Sequence, residues 1–243
     1  MENIKDKVII ITGASSGMGA ATAKKLVSFG AKVVLAARRE EQLKTLTAGL
    51  GDHAAYVVTD VSKRSDLDNL VETAIAKFGP IDVFWNNAGI MPISFFEEGL
   101  VEEWDKMIDI NIKGVLYGFN AVLPHMLERK AGHILATSSV GGLKTSPGIG
   151  VYAGTKFAVR AIMDTLREEV AQTIKVTTIY PGATQTELGH DITSPKIKAL
   201  YGNLQGMPKM DDAAIADAVI YAISQSGNTT INELVLRPLG QTR

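Results

Sequence analysis

Seven short runs of aliphatic and β-branched residues, separated by longer segments with helical spacing, constrain this chain more than any other feature. The runs occupy residues 8–12, 32–36, 55–59, 81–85, 133–137, 175–180 and 233–237. Each is nearly continuous in hydrophobicity rather than alternating, as a strand covered on both faces requires. Parallel neighbours need crossovers long enough to hold a helix, so this alternation predicts a parallel sheet. The expected fold is α/β: one doubly wound, seven-stranded parallel sheet with helices on both faces and right-handed crossovers. Gly30 and the pair Gly79-Pro80 stand where the first and third helices should stop. Ser62, between a strand and the third helix, is the expected N-cap. Trp104, Met107, Ile108, Val115, Phe119, Val122 and Met126 recur at three- and four-residue steps and predict one helix over 101–128. No linker, repeat or low-complexity tract divides residues 1–243, which are read as a single domain. Only the segment 181–210, rich in Gly, Pro, Thr, Lys and Met, interrupts the alternation, and it is read as a substrate-binding loop.

Charge and cysteine content narrow the function classes. With 25 basic and 26 acidic side chains the net charge is −1, and no long basic block is present. That argues against nucleic acid or an anionic membrane surface as the main partner. No cysteine occurs, which removes thiolate nucleophiles and cysteine-based metal sites, and no metal site is read from the sequence. No apolar run approaches the roughly 18 residues of a membrane helix. The opening MENIKDK is charged and leads into a run too short for the core of a secretory signal, so a cytoplasmic location is expected.

The first strand is followed by Thr12-Gly13-Ala14-Ser15-Ser16-Gly17-Met18-Gly19, which opens the first helix. Glycines here permit a tight turn and let backbone amides approach a pyrophosphate, whose charge is favoured at a helix N-terminus. The spacing is G-x-x-x-G-x-G, and as a bare turn it need hold no ligand. Gly13 to Gly17 also satisfy G-x-S-x-G, the nucleophile elbow of α/β-hydrolases. That reading needs an acid and a histidine on later loops, and of His53, His125, His133 and His190 only the last qualifies.

Tyr152 and Lys156 lie four apart in one helical segment and share a face. A phenol titrates near ~10, and a neighbouring ammonium favours its charged form, so the pair can handle a proton. Ser138 and Ser139 end the preceding strand, Asn111 lies in the long helix, and Asn86-Asn87-Ala88-Gly89 follow the fourth strand. In this order and spacing, residues 12–19, Asp60-Val61, 86–89, Asn111, Ser139, Tyr152, Lys156 and Pro181-Gly182 resemble the short-chain dehydrogenase/reductase family over essentially the whole chain.

The resemblance implies a Rossmann fold and a set of roles. Tyr152 would protonate a carbonyl oxygen as hydride arrives from a nicotinamide, and Lys156 would lower the tyrosine pKa and hold the nicotinamide ribose. Ser139, thirteen positions before the tyrosine as in the family, would hydrogen-bond the substrate oxygen. Ser138 is its runner-up. Asn111 would hold a water linking Lys156 to solvent. The dinucleotide would lie on Gly13, Ser15, Ser16, Gly17, Met18 and Gly19. It would also meet Asp60 and Val61 at the adenine, the turn Asn87, Ala88 and Gly89, Pro181, Gly182 and Thr184 at the carboxamide, and Thr186 at the carboxamide or the pyrophosphate.

The expected cofactor is NADP(H). An NAD enzyme usually places an acid about 20 residues past the glycine motif to hold the ribose 2′-hydroxyl. Here that position is Ala37, followed by Arg38 and Arg39, both expected at the cofactor, with Arg38 the expected ligand of a 2′-phosphate. For substrate, Leu188, Ile192, Ile197, Leu200, Leu204, Met207 and Met210, with Ile90, Met91, Phe95 and Phe96, predict an apolar pocket for an aldehyde or ketone. Residues 181–193 also resemble reductases of aldehyde intermediates such as clavulanate aldehyde, and serine and 3-hydroxyacid dehydrogenases look related. The family implies a homodimer or homotetramer built on helices near 101–128 and 150–172, with Phe157, Ile162 and Leu166 as interface or core.

Three rivals remain beside an NADPH-dependent carbonyl reductase. A 3-oxoacyl-carrier-protein reductase should show a basic patch at the active-site mouth, for which Lys144, Arg160 and Lys196 form no concentrated cluster. A non-catalytic NADP(H) sensor has no need of a proton donor. The third rival is the serine hydrolase described above.

Overall fold

The computed structural model describes residues 2–202 and 208–241. Seven strands form one sheet in the order β3-β2-β1-β4-β5-β6-β7, every neighbouring pair parallel. They are β1 Val8–Thr12, β2 Lys32–Ala37, β3 Ala54–Val58, β4 Val83–Asn86, β5 His133–Thr137, β6 Lys175–Pro181 and β7 Glu233–Leu236. All residues of β1 and β5 are buried, which explains why their sequences carry no polar alternation. Helices α1 Gly17–Ser28, α2 Glu40–Leu50 and α8 Asp212–Ser224 cover one face, and Ile9, Ile11, Leu26, Leu43 and Val219 share its core. Helices α3 Arg64–Phe78, α5 Gly114–Arg129 and α6 Gly150–Glu169 cover the other, around Ile10, Phe84, Leu70, Val122 and Met163. The result is a Rossmann-like doubly wound domain.

Several expectations shift locally. β4 begins at Val83 rather than residue 81, where the Ile81 amide donates to His125 Nε2 at 3.1 Å and Arg129 holds the Ile81 carbonyl. Ser62 is not the N-cap of α3. Lys63 holds that position, and the Ser62 hydroxyl donates to Asp60 at 2.7 Å. The helix expected over 101–128 is α4 Val101–Ile108 and α5 joined through a π-helical turn, Asp109–Lys113. The segment 181–210 contains a further helix, α7 Pro195–Gly202. Leu204 and Met207, assigned to the substrate pocket, lie outside the described residues.

The strand order sets the functional region. β1 connects to β2 on one side while β4 lies on its other side, so the chain reverses direction between β1 and β4. A crevice opens at the carboxyl ends of strands where such a reversal occurs. Thr12, Ala37, Asn86, Thr137 and Pro181 end their strands on that edge.

Candidate active site

The crevice floor is a glycine turn tied to the turn after β4. Gly13 has φ +65°, and a Cβ there would stand 2.8 Å from Ala88 Cα, so only glycine lets the two turns touch. Gly17, with φ +51°, starts α1, and a Cβ on Gly19 would meet the Gly13 carbonyl oxygen at 2.6 Å. The buried hydroxyl of Thr12 accepts from the Asn87 amide at 2.9 Å and the Ala88 amide at 3.1 Å. Asn87 Nδ2 donates to the Thr12 carbonyl at 3.0 Å, its Oδ1 accepts from Thr137 Oγ1 at 3.2 Å, and Trp85 Nε1 donates to the same threonine at 3.0 Å. Side chains thereby lock the ends of β1, β4 and β5 together. At α1, Ser16 is the N-cap but makes no side-chain bond to its helix, and the first turn carries no acid. A helix end with no side-chain cap and no acid in its own first turn, approached by a turn with no Cβ in the way, fits a dinucleotide pyrophosphate.

Tyr152 and Lys156 sit in the first two turns of α6, both buried, with Lys156 Nζ 5.8 Å from the tyrosine ring centre. Lys156 Nζ donates to the Thr137 carbonyl at 2.9 Å, and burial pulls its pKa down to about 8. Burial pushes the Tyr152 hydroxyl up, and its hydrogen bond with Ser139 pulls it part of the way back. Ser139 Oγ accepts from the Gly141 amide at 3.0 Å, and a Cβ on Gly141 would touch both Ser139 and Tyr152 at 3.4 Å. The two serines are separated by what they touch: Ser138 is buried and donates to the Lys156 carbonyl at 2.9 Å, facing away from the phenol.

Asn111 occupies the π-helical turn, and its side chain explains that turn. Its Oδ1 accepts from the Ile90 amide at 2.9 Å, while Nδ2 donates to the Ile90 carbonyl at 3.0 Å and to Thr155 Oγ1 at 3.1 Å. The amide thus reads both backbone groups of Ile90, just past Gly89, and Thr155 in turn donates to the Tyr152 carbonyl at 2.7 Å. Gly89 lies against this group, since a Cβ on it would stand 3.2 Å from Asn111 Oδ1 and 3.4 Å from Lys156 Nζ.

The two arginines after β2 point to different places. Arg38 lies near Asp60. Partial burial penalises the Asp60 carboxylate, but two hydrogen bonds from Ser62, with Arg38 and Lys63 nearby, outweigh that and hold its carboxyl below the usual value. Val61 packs on Gly114, where a Cβ would come within 3.0 Å of it. Arg39 instead reaches the glycine turn, donating to Ser15 Oγ at 2.9 Å and Ser16 Oγ at 2.6 Å. Met18 packs on the core of the same face.

β6 ends in Pro181, and the Gly182 amide donates to the Leu236 carbonyl at 2.7 Å. Thr184 bridges to Met210, and Thr186 packs over Gly17, its Cγ2 3.1 Å from where a Cβ would be. Beyond it the segment crosses the crevice and is fastened on the far side. Thr193 donates to Glu103 at 2.6 Å, buried Ser194 to Glu98 at 2.8 Å, and Lys196 pairs with Glu97. Ile197 is buried against Tyr152, Ile93 and Met107, with Ile90, Met91, Phe95 and Ile192 packed around them. Apolar side chains from both segments thus pack together around the phenol. Phe96 lies mostly outside it, edge-on to Trp104, and Leu188, His190 and Leu200 are exposed.

Thr137 and Thr155 drew no notice in the sequence, and Thr12 and Glu187 stood in its quoted stretches without a role of their own. Thr155 had a helical-spacing signal, three residues past Tyr152. The others depend on strand ends meeting in space. No histidine is hydrogen-bonded to Ser15 or Ser16 among the described residues; both bond to Arg39, and Ser16 also to Glu187.

A parallel sheet with a glycine cradle at its switch point, and a half-buried serine with a buried tyrosine and lysine beside that cradle, is the arrangement of an oxidoreductase built on a dinucleotide-binding fold. Residues 7–196 match the family described as short chain dehydrogenase, and the chain belongs to that family. It is 46% identical over 246 residues to an uncharacterized oxidoreductase of Staphylococcus saprophyticus, covering 100% of both chains. Among solved structures it is similar to a closed form of serine dehydrogenase complexed with NADP+, at 31% identity and a TM-score of 0.91, covering 97% of this chain and 96% of that one. It is also similar to a 3-ketoacyl-(acyl-carrier-protein) reductase from Brucella melitensis complexed with NADH, at 30% identity and a TM-score of 0.86, covering 96% and 97%.

Proposed function

We propose that the chain is an NADPH-dependent reductase of aldehyde or ketone carbonyls, reversible as an alcohol dehydrogenase. The observation that carries this reading is the group of half-buried Ser139 and buried Tyr152 and Lys156 at the edge of the glycine cradle, with apolar side chains packed around the phenol. The bound dinucleotide supplies the hydride that adds to the carbonyl carbon. Ser139 donates to the carbonyl oxygen and orients it. Tyr152, kept protonated at neutral pH by burial, delivers its proton to that oxygen as charge develops there. Lys156 stabilises the phenolate left behind. Both amide hydrogens of Asn111 are spent on Ile90 and Thr155, so a water relaying protons to Lys156 is held through its acceptor oxygens.

Three features support NADPH over NADH. β2 ends in Ala37 with no carboxylate to repel a 2′-phosphate, Arg38 flanks the adenine end near Asp60, and Arg39 stands over Ser15 and Ser16. The carrier-protein alternative is weakened by its own basic residues: Arg160 pairs with Asp164 and Glu233, and Lys196 with Glu97. Exposed Leu116, Leu127 and Phe157 on α5 and α6 support assembly of a homodimer or homotetramer through those helices, while buried Leu166 belongs to the core. A cytoplasmic location goes with this reading; among the described residues no helix is long and apolar enough to cross a membrane.

The test is consumption of NADPH and NADH against a panel of aldehydes and ketones, with Tyr152→Phe and Arg38→Ala beside the wild type. Turnover with NADPH, lost by about 10²–10⁴-fold in the tyrosine variant, is expected. Faster turnover with NADH overturns the cofactor assignment and leaves the reductase. Tight NADPH binding with no turnover on any carbonyl favours the sensor.

A further inference from the structure

Glu187 lies one residue past Thr186, on the segment that crosses the crevice. Its Oε2 accepts from Ser16 Oγ at 2.7 Å and pairs with Arg39 Nη1 at 2.8 Å. The rest of the Arg39 fork is turned onto the same spot: Nη2 donates to Ser15 Oγ at 2.9 Å and Ser16 Oγ at 2.6 Å, and Nε to Ser15 Oγ at 3.1 Å. These donors converge at the start of α1, whose first turn carries no acid. A carboxylate brought across from the opposite segment supplies the negative charge that this helix end favours. Hydrogen bonds from Ser16 and Arg39 hold the Glu187 carboxyl below its ordinary value, so it is ionised near neutrality. The acids nearest Arg39 in sequence are engaged elsewhere, Glu40 with Lys44 and Tyr56, and Glu41 with Lys44.

A guanidinium fork matches carboxylate and phosphate in the same way, through parallel N–H donors to two oxygens. With Nε and Nη2 turned onto the two serines and Nη1 onto Glu187, Arg39 keeps no pair of parallel donors for a phosphate unless part of this set is given up. We propose that Glu187 is a specificity-determining residue for the dinucleotide: its carboxylate competes with the cofactor's 2′-phosphate for Arg39, and so sets how strongly the phosphate-bearing cofactor is preferred. This rests on the NADPH reading above. A merely structural brace would be poorly placed here. The two side chains are 41% and 51% exposed, and water screens such a pair until it contributes little to folding. A bond that must be given up on every binding event, however, enters the dissociation constant directly.

The experiment is calorimetric titration with adenosine 2′,5′-bisphosphate and adenosine 5′-monophosphate, which share the adenosine 5′-phosphate and differ in the 2′-phosphate. Wild type, Glu187→Gln, Glu187→Ala, Arg39→Ala and the double variant Glu187→Gln/Arg39→Ala are compared. The bisphosphate-to-monophosphate affinity ratio rises about two- to five-fold in both Glu187 variants, the range for a pair this exposed. In the Arg39→Ala background the Glu187→Gln substitution changes the ratio no further, because the two act on one another. A ratio that stays level or falls in the Glu187 variants while Arg39→Ala collapses it overturns the role of Glu187 and leaves the NADPH reading standing. A wild type that binds both probes equally overturns the NADPH reading and the proposal with it.

Discussion

Thr12→Val isolates one hydroxyl that holds the glycine turn to the turn after β4. Thr12 is 2% exposed, and its Oγ1 accepts from the Asn87 and Ala88 amides at 2.9 and 3.1 Å while donating to the Trp85 carbonyl at 3.3 Å. Valine keeps the shape and leaves two amides without their acceptor. Each unsatisfied buried donor costs about 1–3 kcal/mol. Asn87 and Ala88 are only half-buried, so water recovers part of that, and the lower half of the range for two donors gives a total of about 2–4 kcal/mol. Thr12→Ser is the control: it keeps the acceptor, loses one methyl, and costs about 1 kcal/mol, as for other single buried methyl deletions. Urea unfolding followed by tryptophan fluorescence reads both, because buried Trp85 lies within the perturbed group. A valine variant no less stable than the serine variant would refute the claim that this hydroxyl clamps β1 to β4.

Ser139→Ala lowers kcat by about 10²–10³-fold, the usual cost of losing one donor to a developing oxyanion, with a stability loss of no more than about 1 kcal/mol from its half-buried bond to the Gly141 amide. Ser138→Ala does the reverse, costing about 1 kcal/mol of stability through its lost bond to the Lys156 carbonyl, with less than ten-fold loss of rate. Because burial lowers Lys156 to about 8, its charge disappears above that pH, and reductive kcat/KM falls on the alkaline side. A profile still level at about pH 9.5, nearer the ordinary lysine value, would refute the assignment. His133 is held near 3 by burial, with Lys175 and Lys7 adding to the effect. Its folded-state value is depressed, so the unfolded chain takes up a proton that the folded one refuses between pH 6.5 and about 3. Stability therefore falls with pH through that window, by about 2 kcal/mol at pH 5. His133→Asn should flatten this slope in thermal melts at pH 5 and pH 7.5.

Much of this architecture is legible residue by residue. β1 and β5 fall within their expected bounds because their side chains are buried on both faces, leaving hydrophobicity to mark the ends. Tyr152 and Lys156 are legible because helical spacing alone puts them on one face. What escaped depends on partners distant in the chain. The helix over 101–128 is interrupted because Asn111 bonds the backbone of Ile90, and no local pattern carries that choice. The arginine pair was legible as a pair, but Arg39 rather than Arg38 reaches the glycine turn, because Ser15, Ser16 and Glu187 meet it there. Ser62 resembled a cap by position and instead serves Asp60, two residues away.

The placing of β1 between β2 and β4 has a consequence for how the chain comes to be folded. β2 and β3 follow β1 directly, but its other neighbour begins only at Val83, after α3. As the chain leaves the ribosome, three strands can pair while one long side of β1 has no mate. That side belongs to the uncharged stretch VIIIT, the kind of bare edge that recruits strands from other molecules. Until β4 arrives, the nascent chain carries its most adhesive surface in what will become the middle of the sheet. The seam that later holds the glycine cradle is the one that synthesis leaves open, and fragments ending before residue 83 are expected to precipitate.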